Sequence, residues 1–101
     1  MTIYEFRTSL AAVSGATSTT TLRVPGGLMQ QFLVQASVDT SVFRANLVDS
    51  NSRTRMNYGF STGELNDVGS HFPMEGRYTI NITNASPTNE TFQVVLAVQE
   101  K

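Results

Sequence analysis

Apolar and polar residues alternate with a period of two along most of this chain, and that period belongs to half-buried β-strands. The alternation is clearest from Gly76 to Gln99. In GRYTINIT, Tyr78, Ile80 and Ile82 alternate with Thr79, Asn81 and Thr83. In TFQVVLAVQ, Phe92, Val94, Leu96 and Val98 form one row. The intervening NASPTNE is turn chemistry, so the two runs predict an antiparallel pair of strands supplying the core. Earlier runs repeat the pattern. Residues 2–8 carry Tyr4 and Phe6 on one face against Glu5 and Arg7 on the other, and Thr20–Val24 turns Leu22 and Val24 inward. QQFLVQASV sets Phe32, Val34, Ala36 and Val38 against Gln31, Gln35 and Ser37, and VFRANLVD sets Phe43, Ala45 and Leu47 against Arg44 and Asn46. Asp39-Thr40-Ser41 separates these two by so little that they predict a hairpin. TRMNYGF places Met56, Tyr58 and Phe60 inward, with Gly59 marking a bulge or a crossing backbone.

The segments between are small and polar. SLAAVSGATSTTT reads as a loop, in which a helical turn at Ser9–Val13 is too short to stand alone. Val24-Pro25-Gly26-Gly27 predicts a tight turn, since proline fixes φ and glycine permits positive φ. Asp49-Ser50-Asn51-Ser52 is another turn. Residues 61–75 form the least regular stretch, with room for one short strand near His71–Met74. Seven or eight short strands with frequent turns, no amphipathic helix and no internal repeat predict one all-β domain over residues 1–101. Its architecture is a single antiparallel β-sandwich, or jelly-roll-like, fold.

Composition narrows the function classes. The 101 residues are enough for one core, and the absence of cysteine excludes disulfides and thiolate metal sites. Only 15% of residues are charged, the net charge is −1, and no run of one sign occurs. That argues against nucleic acid and against a polybasic membrane contact. No apolar stretch reaches the roughly 20 residues of a membrane helix. MTIYEFRTSL lacks an apolar core for a signal peptide, so the expectation is a protein made in a cytoplasm and soluble. Thr, Ser, Asn and Gln outnumber charged residues by more than two to one, which leaves little repulsion between copies. Six of the seven basic residues are arginine, the cation favoured at interfaces.

Catalytic and ligand chemistry find little support. His71 is the single histidine, and although Ser70 and Asp67 are near in sequence, no serine sits in a nucleophile elbow. The eight acids are scattered, mostly in turns. Asp49-Ser50-Asn51 fails the pattern of a calcium loop at Arg53 and Thr54, which leaves Asp49, Glu64 or Asp67 as the only candidate calcium ligands. Gly26-Gly27 precedes a strand, not a helix, so it is no phosphate cradle. The sequons at Asn81, Asn84 and Asn89 read as turn and strand chemistry. The expectation is no catalytic residue, no metal and no cofactor. Tryptophan is absent and all three tyrosines fall on inward rows, so a sugar-stacking platform is not visible.

One pattern points to contacts. Val95 and Ala97 make the outer row of the last strand apolar, and Met29 and Leu33 lie opposite the main apolar row of the third. A strand apolar on both faces is covered on both, either by its own chain or by another subunit. Met29, Leu33, Val95 and Ala97 are therefore the candidate interface residues, on either a central strand or a docking edge.

GRYTINIT followed by TFQVVLAV resembles the closing hairpin of β-sandwich modules such as pre-peptidase C-terminal-type domains. The chain as a whole resembles small structural proteins of tailed bacteriophage virions, in its Ser/Thr/Asn-rich strands, its PGG and NAS turns and its lack of cysteine. That resemblance implies a non-enzymatic virion protein, decorating or cementing a capsid or forming part of a tail or fibre. Its partners would be other copies of itself and capsid or tail proteins. The alternative is a β-sandwich module binding carbohydrate or a cell surface, with host-surface glycan as its ligand.

Overall fold

The computed structural model describes residues 2–101 and contains strands and turns only. Its seven strands are β1 (Ile3–Ala12), β2 (Thr17–Ala36), β3 (Val42–Asp49), β4 (Thr54–Thr62), β5 (Glu64–Asp67), β6 (Pro73–Asn84) and β7 (Glu90–Glu100). All neighbours are antiparallel, in the order β1-β7-β2-β6-β3-β4, with β5 added to β2. The fold is the expected all-β, sandwich-like antiparallel domain.

β2 organises it. Twenty residues of straight strand would span roughly 66 Å at about 3.3 Å each, yet the longest extent of the molecule is 41 Å. The strand therefore bends sharply. Its first half, Thr17–Val24, pairs with β6. Its second half pairs with β7 from Gly27 to Ala36, and with β5 at Phe32–Gln35. The bend falls at Pro25 and Gly26, where the β6 register shifts and Gly26 has φ 52°. Gly27 is required for a different reason: a Cβ there would lie 2.1 Å from the carbonyl oxygen of Gln99. At this point β2 touches both Met74 of β6 and Glu100 of β7. The Pro-Gly-Gly sequence thus folds one strand from one layer into the other.

The sheet is divided by this bend into two facing layers. One holds β1, β7, the second half of β2 and β5; the other holds the first half of β2, β6, β3 and β4. Phe32, Val34, Phe92, Val94 and Leu96 of the first meet Leu22, Phe43, Leu47, Ile80 and Ile82 of the second in one buried cluster. Two aromatic pairs join strands of opposite layers, Phe43 with Phe92 at 5.2 Å and Phe32 with Tyr58 at 5.4 Å between ring centroids.

Several expected features differ, the strand pairings for this reason. The runs at 76–83 and 91–98 are strands, but β6 and β7 do not pair; they lie in opposite layers. β2 and β3 do not form a hairpin, and the short link 37–41 crosses between layers. The small residues of SLAAVSGATSTTT are mostly extended: Ser9 to Ala12 continue β1 against β7, and β2 begins at Thr17. In the 61–75 stretch the short strand is Glu64–Asp67, on the edge of β2, rather than one near His71–Met74. Phe60 points outward, because the register between β3 and β4 shifts between Ala45↔Tyr58 and Phe43↔Ser61, the bulge that Gly59 allowed for.

The NASPTNE turn is tied down from within. Asn84 is fully buried, and its amide donates to the carbonyls of Ala12 and Thr88 while its Oδ1 accepts from the N–H of Ser86. Glu90 accepts from the hydroxyls of Ser37 and Thr88. The Thr88 bond, then the Ser37 bond, hold its carboxyl below the usual glutamate range despite the opposing effect of burial.

Candidate functional site

The two layers present two outer faces of different character. The first is built by β1, β7 and the second half of β2. There Val95 lies between Arg7 and Leu33, and Ala97 between Glu5 and Gln31. Val95 and Ala97 are each 7% exposed. β7 is thus the central strand of its layer, and its outer apolar pair is shielded by its own neighbours. Leu33 lies beside them, half-buried. Met29 does not: it is 1% exposed and belongs to the core cluster. The register with β7 shifts between Met29 and Gln31, and that bulge turns Met29 to the same side as Phe32. Three of the four candidate interface residues therefore share a face, and the fourth is core.

The second outer face is polar and basic. Along the first half of β2, Thr17, Thr19, Thr21 and Arg23 point outward opposite Thr83, Asn81, Thr79 and Arg77 of β6. The Thr17 and Thr83 hydroxyls share a hydrogen bond of 2.8 Å. Thr19 donates to Asn81 Oδ1 at 2.8 Å, and Asn81 donates onward to Asn46 of β3 at 2.9 Å. This ladder fixes the side chains across three strands. At one end of it the guanidinium of Arg44 lies 5.2 Å from the centroid of the Phe60 ring. Phe60 is 68% exposed, the most exposed large apolar side chain among the described residues. At the other end Arg23 and Arg77 face each other.

Charge is segregated between the faces. Five of the six arginines, Arg23, Arg44, Arg53, Arg55 and Arg77, belong to the second layer or its β3–β4 turn. Among the described residues only three ion pairs form, Arg7–Glu5, Arg55–Asp49 and Lys101–Glu75. Arg23, Arg44, Arg53 and Arg77 take part in none. Asp49 is occupied, since its carboxylate also accepts from the N–H groups of Arg53 and Asn51; the Arg53 bond leads in holding its pKa below the usual range, against partial desolvation.

The residues considered for chemistry lie elsewhere. Asp67 accepts from the hydroxyls of Tyr58 (2.7 Å) and Ser70 (2.6 Å) and from the N–H groups of Gly69 and Ser70. Partial burial opposes its ionisation, but these bonds outweigh it and its pKa lies below the ordinary value. Desolvation, then the bond to Asp67, raises the Tyr58 phenol well above its ordinary pKa. His71 is exposed with φ 47° and shares no hydrogen bond with Ser70 or Asp67. Among the described residues no three His, Asp or Glu side chains converge as for a metal, and Asp49, Glu64 and Asp67 stay apart. No helix is long and apolar enough to cross a membrane. Of the sequons, Asn84 is buried and Asn81 is held within the ladder.

No protein-family model matches the sequence, and no curated protein does. The fold does have solved counterparts. PliG of Aeromonas hydrophila, a periplasmic inhibitor of g-type lysozyme, is similar with a TM-score of 0.52 at 16% identity, over 94% of this chain and 84% of that one. A family two carbohydrate esterase from Cellvibrio japonicus aligns at a TM-score of 0.36 and 13% identity, over 97% of this chain but 35% of the esterase. The likeness to PliG is one of fold.

Phe60, Arg44, Arg23 and Arg77 were not singled out by alternation alone. The excess of arginine over lysine was the signal for the arginines; alternation had placed Phe60 inward, and Gly59 was the signal for the bulge that turns it outward.

Proposed function

We propose that this is a non-enzymatic structural subunit that works through protein–protein contacts, with the β2-β6-β3-β4 face as its docking surface. The observation that carries this is Phe60, an exposed aromatic with an arginine over its ring, at the end of a hydrogen-bonded ladder bearing unpaired arginines. Aromatic side chains and arginine dominate the energetics of protein interfaces, and lysine is depleted there. The ladder also fixes its side chains before any contact, which lowers the entropic cost of association. PliG, of the same fold, is by its description a protein that inhibits another protein, so this architecture has served protein recognition elsewhere.

The setting we propose is a virion, as a capsid decoration or cement or a tail or fibre component, on the strength of the resemblance in sequence style. The test is co-sedimentation with purified capsids and tails, together with sedimentation of the protein alone across a concentration series. Pelleting with particles that Phe60→Ala reduces is the expected result. A strict monomer that pellets with neither particle overturns the reading. Binding on a glycan array that Phe60→Ala leaves intact would move the protein to the carbohydrate-binding alternative.

A further inference from the structure

Arg23 and Arg77 are directly opposed across the β2–β6 ladder. Like charges in that position repel and destabilise the sheet, and no carboxylate within the described residues pairs with either. They line a groove of about 530 Å³ together with Ser50, Ser52, Thr79 and Asp49. Asp49, the one acid there, is held by Arg55 and two backbone N–H groups. The groove thus keeps two free cations and a rim of hydroxyls, the complement of a carboxylate, since the planar guanidinium matches carboxylate geometry.

The chain carries such carboxylates at its other end. A groove of about 880 Å³ is lined by Gln35, Ser37, Val38, Asp39, Glu64 and Thr91 among others, and holds no basic residue. Asp39 is exposed and its carboxylate accepts no hydrogen bond, while Glu64 accepts one from Gln35 at 2.8 Å. Val38, 47% exposed, supplies an apolar wall. The strand registers place the two grooves at opposite ends of the layers. Arg23 lies beside the bend of β2 and the C-terminal end of β7. Asp39 and Glu64 lie where β2 ends beside Phe92, near the start of β7.

We infer that copies of this chain associate head to tail, the Arg23–Arg77 groove of one accepting Asp39 and Glu64 of the next. This rests on the proposed role as a subunit acting through protein contacts and adds its partner and polarity. The two surfaces differ, so the contact is heterologous. A joined pair keeps one unused surface of each kind, and repetition closes a ring or extends a filament. The occupant is a second copy because both halves of the charge match are present in one chain of net charge −1.

The experiment is sedimentation velocity on the full chain and two double variants, R23E/R77E and D39R/E64R, at about 50 and about 500 mM salt, where screening differs strongly. Wild type should associate at low salt and weaken at high salt. Each variant alone should associate about tenfold or more less tightly, as expected for loss of strong interfacial charge contacts. Mixed in equal amounts, the variants should regain association, because acidic heads then meet basic tails. Melting temperatures separate this from misfolding; Arg77→Glu alone puts opposite charges face to face with Arg23 and should melt no lower than wild type. If R23E/R77E associates as tightly as wild type, the head-to-tail pairing is wrong while a subunit role through Phe60 stands. If the variants lose association and mixing does not restore it, the pairing is likewise overturned. A wild type that is monomeric at both salt concentrations ends the self-association, and particle binding then decides the role by itself.

Discussion

The two outer faces of this sandwich do different work with similar geometry. On the β1-β7-β2 face, a central strand carries apolar side chains outward and its neighbours cover them, so the face contributes to the stability of the monomer. On the β2-β6-β3-β4 face, the corresponding positions are mostly Thr, Asn and Arg, with Val48 half-buried beside Thr79, and Phe60 is left in water. An apolar residue covered within its own chain is stabilising; an exposed aromatic beside unpaired cations contributes little to folding. On the first face Val95 and Ala97 are covered by their own neighbours while Ile3 and Leu28, flanking Gln99, stay exposed; the polar face is the one with cations that no carboxylate among the described residues pairs.

The largest effect should come from breaking the join between the layers. Gly27→Ala places a Cβ 2.1 Å from the Gln99 carbonyl oxygen, against rigid backbone. We expect a loss of about 3 kcal/mol or more, in the range of severe core lesions, read from urea unfolding. Gly76→Ala is its control. At φ 94° it is strained, but nothing lies within 4 Å of the added carbon, so its cost should stay near about 1–2 kcal/mol. Equal losses would show that the layers are not held this closely at Gly27.

Next in size is a matched exchange on the two faces. Val95→Asn buries an amide without a partner beside Leu33 and should cost about 2 kcal/mol. Thr19→Val removes the hydroxyl that donates to Asn81 from an exposed ladder and should cost no more than about 1 kcal/mol, since valine suits a strand equally well. Thermal unfolding of both decides it. If Thr19→Val costs as much as Val95→Asn, the polar ladder is a folding device rather than a surface held ready for a partner.

The strands themselves were legible in the sequence, because period-two alternation is a local property. The runs around Phe32, Phe43, Ile80 and Leu96 became inward rows, except that Val38, expected inward, lies beyond the end of β2 and is exposed. Pairing was not legible, because it depends on the bend at Pro25-Gly26. Once β2 crosses between layers, the strands flanking it in sequence are sent to opposite sheets, and nothing local in β6 or β7 announces that. Bulges did the remaining damage. One extra residue inverts every side chain beyond it, so a shift beside Gln30 moved Met29 into the core and another beside Gly59 moved Phe60 out. The second apolar row of β7, Val95 and Ala97, was legible as such, and its cover is supplied by β1 and β2 of the same chain. The basic face needed the fold, since Arg23, Arg44 and Arg77 are far apart in sequence.

A smaller effect is pH dependence where Asp67 of β5 in the first layer meets Tyr58 of β4 in the second. The pKa of Asp67 is depressed in the folded chain below its ordinary 3.8, so its contribution is complete above that value and is lost as pH falls through the lower folded value. Tyr58 works at the other limit. Its folded pKa is raised, so above pH 10.0 the unfolded chain gives up a phenol proton that the folded chain keeps, and stability declines as pH rises further. Asp67→Asn should remove the acid-side slope that Asp67 supplies and leave the mid-range plateau slightly lower. Unfolding free energies from about pH 2 to about pH 7 test this, and an unchanged acid limb would mean that Asp67 is not held in the way its four hydrogen bonds require.

The smallest effect on folding should belong to the residue with the largest effect on binding. Phe43 and Phe60 stand on the two strands of one hairpin, one fully buried against Phe92 and one 68% exposed over Arg44. Phe43→Ala should cost about 3–5 kcal/mol. Phe60→Ala loses only an exposed cation–π contact, and its cost should lie within about 0.5 kcal/mol. An aromatic kept in water on a bulged edge strand is retained against its own tendency to be buried, and the ladder beside it supplies no cover. If Phe60→Ala folds like wild type but no longer pellets with particles, the second face is separated from stability and tied to contact. If instead it destabilises the chain by as much as Phe43→Ala, Phe60 has intramolecular cover in solution, and the contrast between the two faces fails at its most exposed point.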